Sequence, residues 1–203
     1  MKRIVKNPEP PTFVEWKEEW RRNGIEPGWG EFDGKPIKQT VKTALLEEQG
    51  YLCCFCECRV GLGDGSIAHF RAQSEDRESS LEYGNLLYSC EEKPKKDKIP
   101  QTCNQAQDKE MPPISPLDED CETHFAYDPD GNILGKTDKA RETIRILNLN
   151  GSKQLCESRR AVYEETQTML LSNKWSKEKL ERQSDGTFRP FWTTMKYAAG
   201  LYS

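Results

Sequence analysis

Apolar positions along the chain follow two different periods, and the alternation between them predicts an α+β protein. Val41, Leu45 and Leu46 stand at helical spacing in a segment from Lys38 to Gln49, and Gly50 directly after it is a natural helix stop. A shorter helix is expected from about Phe13 to Arg22, within an opening stretch of 36 residues that mixes Pro, Gly and Trp. That stretch reads as an arm that packs through its aromatic residues. Ala140, Ile144 and Leu147 share one face of a helix that Asp138 can cap, and Ser152 can cap a longer one to about Ser172 carrying Leu155, Val162, Met169 and Leu170. Short apolar runs at Ser66 to Phe70 and Asn85 to Ser89 predict two strands separated by a charged loop at Glu75 to Glu82. His124 to Asp128 and Asn132 to Gly135, joined by Pro129-Asp130-Gly131, predict a hairpin, and a short helix is expected around Cys103 to Lys109. The chain thus divides into a lead-in arm and helix (1–50), a central unit (51–110) and a hairpin with a helical C-terminal region (111–203).

Composition narrows the picture. At 203 residues, 34% apolar and 32% charged, the chain sits at the polar edge of globular proteins. Five Trp, seven Tyr and seven Phe allow a core, but a thin one that calls for a covalent or metal staple. No apolar run approaches the roughly 20 residues of a membrane span. Met1-Lys2-Arg3-Ile4-Val5-Lys6 leads into prolines instead of an apolar signal segment, so a soluble, cytoplasmic protein without membrane contact is expected. Thirty basic against 34 acidic residues, net −4, argue against indiscriminate coating of nucleic acid, although the run Lys93 to Lys98 with Arg71 and Arg77 is a local candidate for phosphate contact. Only two histidines are present, His69 and His124, which excludes any site built from three imidazoles.

Eight cysteines in a reducing compartment point to metal binding before disulfides. The spacing Cys53-x2-Cys56-x33-Cys90-x12-Cys103 offers two thiolates on one turn and two more downstream, the donor set that zinc prefers. Cys54 and Cys58 compete on spacing alone, while Cys121 and Cys156 read as core or surface thiols. A redox Cys-x-x-Cys is the rival chemistry, but the pair does not open a helix that would lower a thiolate pKa.

Between and after the cysteines stand Ile67-Ala68-His69-Phe70, Asn85-Leu86-Leu87 and Asn104. The order Cys-x-x-Cys, His, Asn-Leu, Cys, Cys-Asn over Cys53 to Lys109 resembles the HNH endonucleases, the ββα-metal nucleases. Flanking motifs, among them His69-Phe70-Arg71-x-Gln73-Ser74, Tyr83-Gly-Asn85-Leu86-Leu87, Pro116-Leu117-Asp118 and Leu147-Asn-Leu149-Asn150, resemble the HNH nuclease of Septu-type and retron-associated antiphage systems. The resemblance implies a zinc-stapled ββα-metal core, with His69 as general base, Asn85 bracing the loop that orients it and Asn104 as ligand to a catalytic Mg²⁺ or Mn²⁺. It further implies a nucleic-acid substrate and an ABC/SMC-like ATPase partner, with a reverse transcriptase and its RNA–DNA product as further candidates. Two positions depart from the pattern. Ala68 stands where the family places a metal-binding Asp, Glu or His, so the catalytic ion is expected to be held weakly unless Asp108 or Glu75 substitutes, and Gln107 stands where Lys is frequent. A catalytically silent zinc-binding module in an ATPase complex is the alternative that Ala68 favours, with a thiol oxidoreductase third. Trp175 and the Phe191-Trp192 pair exceed what a thin core needs, so part of that surface is expected to bury against a larger protein.

Overall fold

In the computed structural model of the chain, the described residues are 1–71, 78–91, 101–107 and 110–201. Gln73, Ser74, Glu75, Arg77, the run Lys93 to Lys98, Asp108 and Lys109 lie outside them. The arm forms α1 (Pro11–Arg22) and α2 (Trp29–Phe32), and α3 (Pro36–Glu48) follows. Both α1 and α3 begin on a proline, two residues before the periodicity suggests. Proline is suited to the first helical position, where its missing N–H has no partner to lose. Phe13 of α1 is fully buried and meets Phe32 at 5.3 Å, which in turn meets Trp29 at 5.2 Å, so the arm packs ring against ring.

Strands β1 (Gly65–His69) and β2 (Leu86–Cys90) pair antiparallel from Gly65 opposite Cys90 to His69 opposite Leu86. All five residues of β2 are buried. A short α4 (Asn104–Gln107) follows, and β3 (Phe125–Tyr127) pairs with β4 (Ile133–Gly135) around the expected turn. Then come α5 (Asp138–Ile146), α6 (Lys153–Leu171) and α7 (Trp192–Ala198), the last one absent from the sequence expectation. The charged loop before β2 contains single 3₁₀ turns at Glu78–Leu81 and Tyr83–Asn85.

Two expectations are corrected in detail. The cap of α5 is Thr137, whose hydroxyl accepts from the Ala140 N–H at 3.2 Å, with Asp138 as the first helical residue. The inner face of α6 carries Leu155, Arg159 and Thr166, while Met169 and Leu170 are only half-buried. Arg159 is tolerated in the interior because its guanidinium donates to the carbonyls of Gly131 (2.6 Å) and Leu149 and to Asn150 Oδ1 (3.1 Å). Gly131 is required there: with φ +85°, a Cβ on it would lie 2.0 Å from the Cys156 carbonyl of α6.

One apolar cluster runs from Met1 and Phe13 through Leu45, Phe55 and Leu86 to Phe125, Leu147 and Phe191. Gly50 stops α3 at φ +61°, and a Cβ there would lie 2.3 Å from the Phe188 ring, so the same glycine lets the 188 segment dock. Phe191 is buried, and Trp192 donates from Nε1 to the Leu180 carbonyl at 2.7 Å with Lys2 and Lys196 over its ring, so both aromatics are used within the fold. Among the described residues no helix is long and apolar enough to cross a membrane.

Candidate metal centre and histidine site

The central unit opens with a tight knuckle. Glu57 at φ +63° reverses the chain, Cys53 donates its N–H to the Cys58 carbonyl at 2.9 Å, and Leu52 bridges to Arg59. This turn sets Cys53 and Cys56 side by side. Cys90 ends β2, and Cys103 is held at φ +57° by its N–H bond to the Leu147 carbonyl at 2.8 Å. The four sulfurs lie within 4.8 Å of one another and are all buried. Cys53 and Cys103 are 3.8 Å apart, and Cys56 and Cys90 are 3.7 Å apart, too far for disulfides. Sulfurs about 2.3 Å from a tetrahedral zinc stand about 3.8 Å from one another, so the spacing fits zinc without rearrangement.

The four thiols hold their protons unevenly: Cys53 and Cys56 are drawn down, while Cys90 and Cys103 are pushed up. The neighbouring Cys103 thiol draws Cys56 down to about 6, and the Cys90 N–H points at Cys53 Sγ at 3.3 Å, a donor that suits a thiolate. Cys54 stands outside the set, its thiol pushed up by burial while its N–H bonds the Tyr88 carbonyl. Cys58 is half-buried at the edge of the knuckle and also outside the set. Cys121 is buried in the core and Cys156 half-buried on α6. Cys53, Cys56, Cys90 and Cys103 are therefore a centre that can hold a metal such as zinc.

Glu57 ties this knuckle to both ends of the chain. Its buried carboxylate pairs with the Met1 α-ammonium at 3.1 Å and accepts from the Thr193 N–H at 2.8 Å and from the Thr193 hydroxyl. The Met1 ammonium also donates to Tyr127 Oη at 3.0 Å.

His69 closes the far end of β1. Its Nε2 lies 2.8 Å from the Ser80 carbonyl. A carbonyl can only accept, so Nε2 carries the proton and Nδ1 is the basic nitrogen of the neutral ring. Trp29 of the arm meets the imidazole edge-on, with centroids 4.6 Å apart. Burial lowers the His69 pKa below the usual 6.5, opposed by the Ser80 carbonyl and assisted by the charge of Lys38. The ring is therefore neutral at pH 7.

Asn85 sits directly before β2 and clamps the chain that leaves His69. Its Oδ1 accepts from the Arg71 N–H at 2.8 Å, its Nδ2 donates to the Arg71 carbonyl at 3.2 Å, and its own carbonyl accepts from the Phe70 N–H at 3.1 Å. Asn104 opens α4 beside Cys103, with its backbone N–H 3.4 Å from Ser89 Oγ. Ser89 pairs with Ser66, three rungs from His69, which places the Asn104 backbone about 10 Å along the ladder from the histidine at roughly 3.3 Å per residue. Ala68 is fully buried opposite Leu87.

Among the described residues the four thiols are the one grouping of three or more His, Cys, Asp or Glu donors. Asn104 then offers a catalytic divalent ion a single neutral oxygen, and Ala68 offers none. The described donor set does not fit that ion. Sequence reasoning missed Trp29, Ser80 and Glu57, because nothing in their local pattern signals a contact with residues 40 or more positions away or with a backbone carbonyl.

No family model matches the chain. A curated protein of Vibrio cholerae serotype O1 biovar El Tor, named "Retron Vc95 putative HNH endonuclease", is 30% identical over 128 residues. The aligned part covers 58% of this chain and 61% of that protein's length. The chain's resemblance to an HNH endonuclease in a retron setting is thus carried by residue identity across more than half its length as well as by the order of its motifs.

Proposed function

We propose that the chain is an HNH-type endonuclease subunit that hydrolyses nucleic-acid phosphodiester bonds, with DNA as the first substrate class and RNA, including tRNA, as the second. The proposal places it in a retron-associated antiphage complex with an ABC/SMC-like ATPase. The observation that carries the reading is the hairpin itself: a neutral histidine with Nε2–H committed to a carbonyl, on a strand whose exit is clamped by an asparagine and whose other end is pinned by four thiols. The similarity to the retron protein supports the setting.

In this reading Nδ1 of His69 takes a proton from water as the water oxygen attacks phosphorus, and the 3′ or 5′ oxygen leaves. Asn85 keeps residues 70 and 71 in place so that the ring does not drift. A divalent cation, in this class of reaction, neutralises charge on the phosphate and on the departing oxygen. Because the described residues do not fit that cation, no step is assigned to it, and the chain as it stands is expected to cleave weakly.

A second reading is favoured by the full burial of Ala68: a zinc-bearing scaffold that positions a partner without cutting. A nuclease assay on DNA and RNA with Mg²⁺ or Mn²⁺, in complex with the neighbouring ATPase, separates the two. Under the nuclease reading Ala68→Glu or Ala68→Asp should raise cleavage, and adding His69→Ala should abolish it. Equal activity in all variants rejects the site. No activity in any correctly folded variant leaves the scaffold reading standing.

A further inference from the structure

The arm presents a groove that the proposed chemistry does not use. Two adjoining cavities of about 670 and 550 Å³ run along α1 and share Trp16, Glu19 and Ile37. Trp20 and Ile25 complete the apolar floor, and Ile25 is 46% exposed. Two indoles at i and i+4, Trp16 and Trp20, stand 6.0 Å apart and only half-buried. Apolar surface left facing water on and beside α1 is the kind of patch that a partner covers.

The rim says what kind of partner fits. Glu15, Glu18 and Glu19 line α1 at i, i+3 and i+4, exposed and without an ion-pair partner among the described residues. Like charges at this spacing repel one another along the helix. Counting Glu31, four carboxylates line the two cavities against two cations, Arg22 and Lys35. The spacing of the three glutamates, one helical turn long, matches lysines or arginines at i and i+3 or i+4 on a second helix laid alongside.

We infer that this groove is the docking site for a basic amphipathic helix of a partner protein. Its apolar face covers Trp16, Trp20, Ile25 and Ile37, and its cationic flank meets the α1 glutamates. The position has a mechanical consequence. Trp16 contacts Phe32 (6.0 Å), Phe32 contacts Trp29 (5.2 Å), and Trp29 contacts His69 (4.6 Å), so the floor of the groove and the histidine belong to one packed row of rings. The inference goes beyond the nuclease reading and does not need it.

The test uses the full chain and two synthetic 18-residue helical peptides with identical leucine faces, one with lysine and one with glutamate at every other position. Binding is followed by tryptophan fluorescence and by calorimetry. The lysine peptide should bind at least tenfold tighter than the glutamate peptide. Ile25→Glu, at an exposed position, should weaken it at least tenfold without changing the melting temperature. The triple variant Glu15→Lys, Glu18→Lys, Glu19→Lys should invert the preference. The side-chain NMR signals of His69 should shift on binding to the wild type and stay unchanged with Ile25→Glu. Equal binding of both peptides, or lysine-peptide binding that survives every variant, overturns the site. Self-association of the chain that Ile25→Glu abolishes overturns the occupant in favour of a second copy.

Discussion

At the scale of the residue, His69 shows how a side chain is tuned by neighbours far away in sequence. Its proton is fixed on Nε2 by one carbonyl, and its pKa is lowered first by burial, to which the indole of Trp29 belongs. A folded-state pKa below the ordinary 6.5 means the fold prefers the neutral ring. The stability this confers is complete above pH 6.5 and is lost as pH falls through the folded value. Trp29→Ala, which opens the ring to water, should raise the His69 pKa toward 6.5. An NMR titration, assigned by comparison with His69→Ala, checks this, and an unmoved pKa removes Trp29 from the account. The sequence singles out His69 by its place between the cysteines. It does not single out the indole neighbour, because an edge-on contact between residues 29 and 69 leaves no periodic trace.

At the scale of the element, the sequence was read well where period and punctuation agree. Gly50 ends α3, Pro129-Asp130-Gly131 turns the β3–β4 hairpin and Ser152 caps α6, each for a local steric or hydrogen-bonding reason. Periodicity does not register the polar part of the interior: it assigns Leu155, Val162, Met169 and Leu170 to α6, whereas Arg159 also lies inside, its guanidinium donating to the Gly131 and Leu149 carbonyls. The short α7 follows Phe191 at φ +54°, a conformation that nothing in its sequence announces. The β1–β2 hairpin is the element on which the metal centre depends, since Cys90 ends β2 and Cys53 accepts its N–H. Cys90→Ser should lower zinc content below one per chain by elemental analysis and depress the melting temperature, because binding energy at such a centre is folding energy. Full zinc content in that variant would take Cys90 out of the set.

At the scale of the whole molecule, the knuckle is buttressed by Met1 from one end and by Thr193 from the other, both through the Glu57 carboxylate. Removing that charge leaves a buried ammonium without its partner, at a cost of about 3–5 kcal/mol. Glu57→Gln should therefore lower urea stability by that order, with helix circular dichroism and tryptophan fluorescence reporting the same midpoint. A variant in which the two probes separate, one region melting before the other, would show that the junction does not couple them. The same junction limits how far the β1–β2 hairpin can be borrowed. A fragment cut at 51–110 would keep all four thiols, His69 and both asparagines, yet expose a carboxylate built to be dry and strip the imidazole of its indole wall. Anyone transplanting this hairpin into a new host would have to rebuild both supports, or graft the arm and the final helix along with it.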